Sequence, residues 1–180
     1  APIPDGVTDH EATYVADMLS TGFMAAEYGE IPMGGTVAVF AQGPVGLMAT
    51  KGAALQGAGM IIGVESVAKR QELAREYGAD EIVDFTEGDP VEQIMELTGG
   101  EGVDTAIEAL GSAEVLDQCV KVTKPGGTIS NAGYHGEGDK VAISREDWGV
   151  GMAEKDIVTG LCPGGRLRLG RLLRLIGSGR

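Results

Sequence analysis

The chain has 180 residues, 43% of them hydrophobic, with 30 Gly, only 4% aromatics and a formal net charge of −13. That length suits one domain, the acidity makes nucleic-acid phosphates repulsive partners, and no apolar run approaches the roughly 20 residues that span a bilayer. No signal-peptide pattern opens the sequence, and Cys119 and Cys162, far apart in the chain, read as free thiols of a cytoplasmic protein.

In chain order, Thr8-Asp9-His10-Glu11 has the spacing of a capping box. It opens a helical segment over 9–28, which Gly22 is expected to interrupt. Residues 36–40 (TVAVF) are apolar almost throughout, as a strand covered on both faces must be. A helix follows over 45–56 and ends at Gly57. Residues 61–65 (IIGVE) predict a second strand, with Ser66 as cap of a helix closing at Gly78. A third strand is predicted over 81–85. Asp89-Pro90 then reads as N-cap and first helical position, and Gly99-Gly100 as the end of that helix. A fourth strand covers 103–110 and a helix 113–122. Lys124-Pro125-Gly126-Gly127 reads as a turn into a fifth strand over 128–132. A Gly-rich loop runs from 133 to 138, a sixth strand over 156–161, and a last amphipathic helix starts after Pro163. Short strands alternating with helices imply right-handed crossovers and an α/β fold. The expected form is a doubly wound, mostly parallel six-stranded sheet in the order 3-2-1-4-5-6. The division expected is a helical lead over 1–30 and a nucleotide-binding domain over 31–180.

The motif with most chemistry in it is Ala41-Gln42-Gly43-Pro44-Val45-Gly46, a G-x-G-x-x-G turn with Ala first, between the first strand and its helix. Gly43 lets a pyrophosphate approach the backbone, and Gly46 lets helix and strand pack closely. Pro44 starts the helix, and the N–H groups after it, including that of Val45, would hold the anion. Ala41 is expected to be tolerated because its side chain is small. Glu65 ends the second strand, 19 residues beyond Gly46. A carboxylate there accepts hydrogen bonds from ribose hydroxyls and repels a 2′-phosphate, which predicts NAD over NADP. Lys69 and Arg70, one turn further on, are the nearby cations. The plain alternative is an ordinary Gly-rich turn and a solvated Glu65. Glu108 reads as a hydrogen-bonded strand-end residue near the switch point, with a catalytic base as the alternative. Arg168, Arg171 and Arg174 read as a solvated helix face. Cys119 reads as core, and Cys162 as the end of a strand.

Several segments carry a resemblance. Asp17-Met18-Leu19-Ser20-Thr21-Gly22-Phe23, the AQGPVG turn, Lys124-Pro125-Gly126-Gly127, Trp148-Gly149-Val150-Gly151-Met152 and Gly160-Leu161-Cys162-Pro163-Gly164-Gly165-Arg166 resemble the zinc-dependent medium-chain alcohol dehydrogenases. The likeness is greatest to the bacterial secondary-alcohol branch, and it covers the Rossmann cofactor domain of such an enzyme. It implies hydride transfer between NAD and a secondary alcohol or ketone, assisted by zinc in the full-length enzyme. By this resemblance Asp17 is a ligand of the catalytic zinc and Thr21 packs near the nicotinamide. Ala109, Leu110, Gly111, Gly133 and Tyr134 border the nicotinamide half of the cofactor, and Leu161 lines the substrate pocket. Trp148 to Met152 contact a neighbouring subunit, so a homo-oligomer is implied.

Asp17 read on its own chemistry is an ordinary solvated carboxylate. A catalytic zinc takes three protein ligands, and His10, His135, Cys119 and Cys162 show no spacing that supplies the other two. The chain alone is therefore expected to bind no zinc tightly and to be inactive without the catalytic domain. Apolar surface around Met18, Phe23 and Leu161 is expected to be exposed. The rival readings are a stand-alone dinucleotide-binding module, a zinc-free quinone-reductase relative and an S-adenosylmethionine methyltransferase.

Overall fold

The computed structural model describes all 180 residues. Its elements are α1 (Asp9–Val15), α2 (Met18–Tyr28), β1 (Thr36–Phe40), α3 (Pro44–Gln56), β2 (Met60–Val64), α4 (Ala68–Tyr77) and β3 (Glu81–Val83). They continue with α5 (Pro90–Leu97), β4 (Val103–Glu108), α6 (Ala113–Val122), β5 (Thr123–Asn131), β6 (Asp156–Thr159) and α7 (Arg166–Gly177). The six strands form one sheet, β3-β2-β1-β4-β5-β6, and every pairing is parallel. The doubly wound order expected from the sequence is the observed one.

Because side chains alternate along a strand, each central strand feeds two cores. Ala38 and Phe40 of β1 point to the layer that holds Ile94, Leu116, Cys119 and Val122. Val37 and Val39 point to the opposite layer, against Ala25, Ala26, Ala49 and Ala53 of α2 and α3. A third cluster joins Val7, Val15, Leu19 and Phe23 to Leu172 and Leu173 of α7. Phe23 is therefore core, contrary to the expectation that it lies exposed, whereas Leu161 is almost fully exposed. Packing against α7 is the reason.

Local chemistry moves several boundaries. The Thr8–Glu11 capping box forms in both directions, and Asp89 caps α5 with Pro90 behind it. Between 9 and 28 the helix breaks at Ala16-Asp17, not at Gly22. Gly22 sits inside α2, where an added Cβ would lie 2.7 Å from the Ala49 nitrogen and closer still to Val45 O and Met48 Cβ. It permits close packing of α2 on α3 rather than a break. Ser66 does not cap α4: Val67 occupies that position without a side-chain cap. Lys124 to Gly127 is no turn before the fifth strand but an irregularity within β5, whose register to β4 shifts between Val103 and Thr105. Gly126 supplies the positive φ, 76°, that this bulge requires. The second, third, fourth and sixth strands end one or two residues sooner than expected, so Cys162 lies in the loop beyond β6.

Arg168 also departs from expectation, because only 17% of its side chain is exposed. Its Nε donates to Ser20 Oγ (2.7 Å) and Nη2 to Ser20 O (2.9 Å), while Nη1 reaches both Glu27 carboxylate oxygens at 2.8 and 3.1 Å. Ser20 Oγ in turn donates to Pro163 O at 3.1 Å. α7 and the loop before it are thereby tied to α2. Arg171 and Arg174 remain exposed.

Asp104 ties the opposite end of the sheet. Its Oδ2 accepts the Thr36 N–H at 2.8 Å and its Oδ1 pairs with Lys124. Burial alone would raise its pKa, but Lys124 and the Thr36 N–H outweigh burial and hold the carboxyl below its ordinary 3.8. A carboxyl lowered in the fold stabilises above its unfolded pKa and loses that contribution as pH falls through its folded one. Urea midpoints should therefore drop as the pH is taken below about 4, and Asp104→Asn should flatten part of that slope. Gly22→Ala should lower the unfolding free energy by roughly 1–3 kcal/mol through overpacking, read as a shifted urea midpoint at unchanged m-value.

Candidate cofactor crevice

The strand order reverses direction between β1 and β4, and a doubly wound sheet opens its crevice at that point, beyond the carboxyl ends of the strands. A crevice of about 660 Å³ lies there, lined among others by Ala41, Glu65, Arg70, Leu110 and Ser112. Ala41, the first residue of the phosphate turn, belongs to one wall. α3 begins at Pro44 with Gly43 as N-cap, and no side chain caps it. Gly43 has open space where a Cβ would stand. The N–H groups of Val45 and Gly46 lie in the helix's first turn, where no helical carbonyl is available to them, and they point with the dipole toward that space. A Cβ on Gly46 would run into the Ala41 carbonyl oxygen, so glycine is required by close approach. Ala41 itself has φ 69°. The constraint there is conformational rather than one of size, and a left-handed Ala costs roughly 1–2 kcal/mol.

Glu65, just past β2, is 4% exposed, so it is not the solvated residue of the plain alternative. Its Oε1 accepts the N–H groups of Ser66 and Val67, both at 3.0 Å, and its Oε2 accepts the N–H of Gln42 at 3.1 Å. Arg70 reaches Oε2 at 3.5 Å, the longest of these contacts. The acid is thus tied to the phosphate turn as well as to its own helix. Gln42 completes that tie: it is fully buried, donates Nε2 to Val39 O (3.0 Å) and accepts from Thr50 Oγ1 (2.9 Å). The sequence carried no signal for this role, because Gln42 fills a position of the turn that its backbone requirements leave free.

The other wall holds Leu110 and Ser112, beyond β4, and the turn after β5 packs behind it. Ala109, Leu110 and Gly111 follow β4, and Gly133 and Tyr134 follow β5. The structure brings these two turns into contact, since a Cβ on Gly111 would strike the Tyr134 carbonyl oxygen and one on Gly133 the Gly111 nitrogen. Between them lies Glu108, fully buried, whose Oε1 accepts the N–H groups of Leu110 (3.0 Å), Gly111 (2.8 Å) and Ser112 (3.4 Å). The hydrogen-bonded reading of Glu108 is the observed one. Cys119 is fully buried nearby, and its thiol is pushed well above the ordinary range, first by burial and then by the Glu108 charge. It is a core residue, not a nucleophile.

Comparison with known proteins agrees with this geometry. The family described as zinc-binding dehydrogenase matches residues 44–176. The chain belongs to that family. It is 49% identical over 176 residues to the NADP-dependent isopropanol dehydrogenase of Thermoanaerobacter brockii, covering 98% of this chain and 50% of that protein. An alcohol dehydrogenase of Cupriavidus necator is 47% identical over 179 residues, 99% of this chain and 48% of its own. Among solved structures, alcohol dehydrogenase TADH from Thermus sp. ATN1 superposes with a TM-score of 0.89 at 28% identity, over 99% of this chain and 50% of that one. The chain thus spans about half the length of these relatives and corresponds to the cofactor-binding domain of an alcohol dehydrogenase. The family leaves the methyltransferase reading without support.

The family's description names zinc, and the residues present can be tested for it. Asp17 is exposed at the start of α2, where its Oδ1 accepts the Thr21 hydroxyl at 3.0 Å. No group of three or more His, Cys, Asp or Glu side chains converges anywhere in the chain. A single exposed carboxylate does not fit a zinc site by itself. His10 stacks edge-on against Tyr14 at 5.4 Å, in the capping turn. Asp17 and Thr21 belong to the segment that packs on α3, where the neighbouring Gly22 meets Val45 and Met48. Tyr134 and Leu161, like Leu110, are exposed apolar side chains.

Gln42→Ala should cost about 1–3 kcal/mol, because it strands Thr50 and Val39 polar groups in the interior. A thermal or urea unfolding series against the wild type measures this. An unchanged midpoint would show that the turn needs no such internal support.

Proposed function

We propose that this chain is the NAD-binding part of an enzyme that transfers hydride between NAD and a secondary alcohol or ketone. The observation that carries the reading is the hydrogen bond by which Gln42 N–H, next to the uncapped start of α3, holds the crevice-lining Glu65 carboxylate beside the phosphate turn. The helix start offers N–H groups to a pyrophosphate, and the carboxylate offers acceptors to ribose hydroxyls. Oε2 has capacity for such a donor, since its weak contact with Arg70 is half-exposed and can yield. Gly43, Pro44, Val45, Gly46 and Glu65 are the residues assigned to the adenosine and pyrophosphate side. Ala109, Leu110, Gly111, Gly133 and Tyr134 are assigned to the nicotinamide side, with Thr21 beside it.

In the reaction, these residues bind and orient. Fixing the ring's face and distance supplies the geometric part of catalysis, and excluding water from the crevice strengthens it. Leu161 faces the substrate, and the remaining wall of the pocket and the further ligands that Asp17 would need lie outside this chain. Acting alone, the chain binds cofactor without turnover. Val150 within a short 3₁₀ turn (Gly149–Gly151) and Trp148 and Met152 flanking it, all exposed, support self-association as the further partner contact.

NAD is favoured over NADP, although relatives carry NADP-dependent names. Besides Glu65, the crevice is lined by Asp89 and Glu114 against the single cation Arg70. A dianionic 2′-phosphate would enter among three carboxylates. Calorimetric titration of the chain with NADH and NADPH tests the proposal, with NADH expected to bind more tightly by at least roughly tenfold, the size of one lost charge-assisted hydrogen bond. Equal affinity, or preference for NADPH, would overturn the assignment of Glu65, and binding of neither would overturn the cofactor reading altogether.

A further inference from the structure

Glu108 lies inside the sheet edge rather than on the crevice, yet its polar contacts all lead to the two turns that face it. Oε1 gathers three N–H groups of the turn after β4. Its main-chain oxygen accepts from Ala132 (2.9 Å) and Gly133 (3.1 Å), at the end of β5. Oε2 is buried without a hydrogen-bond partner and faces His135 Nε2 at 3.7 Å. A fully buried carboxylate with one oxygen unsatisfied is costly, and the His135 ring stands beside that oxygen, beyond hydrogen-bond reach.

The imidazole is itself held in place. Asn131 Nδ2 donates to Gly133 O at 3.2 Å, which turns its Oδ1 toward His135 Nε2 at 2.7 Å. That contact makes Nε2 the donor and leaves Nδ1 buried and unpartnered. Gly133 has no room for a side chain, because a Cβ would strike both Glu108 Oε2 and the Gly111 nitrogen. The turn 109–112 and the turn 133–135 are thus locked together through one carboxylate, one imidazole and one amide.

We infer that Glu108, backed by His135, is a positioning residue that sets the spacing of the two turns flanking the nicotinamide ring. It touches no reacting atom. The inference rests on the cofactor reading above, and it makes a claim that a purely structural role would not make. Loss of Glu108 harms the nicotinamide half of the cofactor and spares the adenosine half, which is held at Gly43–Gly46 and Glu65.

The test compares NADH with ADP-ribose, which lacks the nicotinamide, by calorimetry on the wild type, Glu108→Ala, Glu108→Gln and His135→Ala. Glu108→Ala is expected to weaken NADH roughly tenfold while changing ADP-ribose less than about twofold. Glu108→Gln keeps an oxygen for the same three N–H groups and is expected to stay within about threefold of wild type for both ligands. Where Glu108→Ala does not fold, His135→Ala, in a loop outside the sheet, serves instead, with an expected loss of about threefold confined to NADH. Equal loss of both ligands, no loss of either, or a wild type that binds NADH no more tightly than ADP-ribose overturns the inference while leaving adenosine-side binding intact. A wild type that binds neither ligand overturns the cofactor reading and this inference with it.

Discussion

The ligand edge of this sheet depends on backbone N–H groups finding carboxylate oxygens. Each β-to-α turn delivers a helix N-terminus whose first N–H groups lack helical partners. After β2 and after β4 the N–H groups of the turn itself, ahead of the helix, are taken by buried acids, Glu65 and Glu108. After β1 the first N–H groups of the helix are left open, at the uncapped start of α3. The start of α3 therefore lies between two turns whose own N–H groups are already held by carboxylates. In a chain of net charge −13, with Arg70 the one cation lining the crevice, the positive potential at the start of α3 comes from peptide dipoles. The two acids sit where they do because the backbone neutralises them.

The same interaction explains how turns so rich in glycine hold their shape. Gly46, Gly111 and Gly133 are required by close approach, and glycine brings conformational freedom that would blur a binding surface. Glu65 pins the first of these turns through Gln42, and Glu108 pins the other two. Rigidity is supplied by a few long polar side chains reaching back into the edge, each buried and bonded to main-chain groups of the turns. A substitution at Gln42 or Glu108 therefore acts on the site without touching it.

Much of the fold was legible in the residues, for physical reasons that can be named. β-branched runs covered on both faces gave β1, β2 and β4, and Asp89-Pro90 with Gly57 and Gly78 marked helix ends, since caps and left-handed glycines are local requirements. The phosphate turn was equally local. What escaped is what depends on distant partners. Gly22 reads as a helix breaker until α3 is seen pressed against it, and Phe23 as exposed until α7 covers it. Arg168 belongs to a periodic basic stripe, and only Ser20 and Glu27, more than 140 residues away in sequence, reveal it as a clamp. Lys124 to Gly127 has turn chemistry, and its neighbour β4 absorbs that chemistry as a bulge. Glu108 could be placed at the switch point from its strand. Its link to His135 could not, because two turns from different crossovers must first be brought together.

That dependence on distant contacts bears on how the two sides of the crevice relate. The segment carrying Asp17 and Thr21 precedes the sheet and makes few contacts with its strands, so it would be free to drift on a smooth helix surface. It is not free. Gly22 and Gly52 let α2 and α3 approach until backbone meets side chain, where longer residues would hold them apart. Arg168 then fastens α2 to α7 from the opposite side, and Leu19 and Phe23 bury themselves against Leu172 and Leu173. The separation between the Asp17 carboxylate and the phosphate turn is consequently fixed by this chain's own packing. A group binding at the Asp17 carboxylate would therefore meet it at a distance from the phosphate turn that the packing of α2 on α3 has already set.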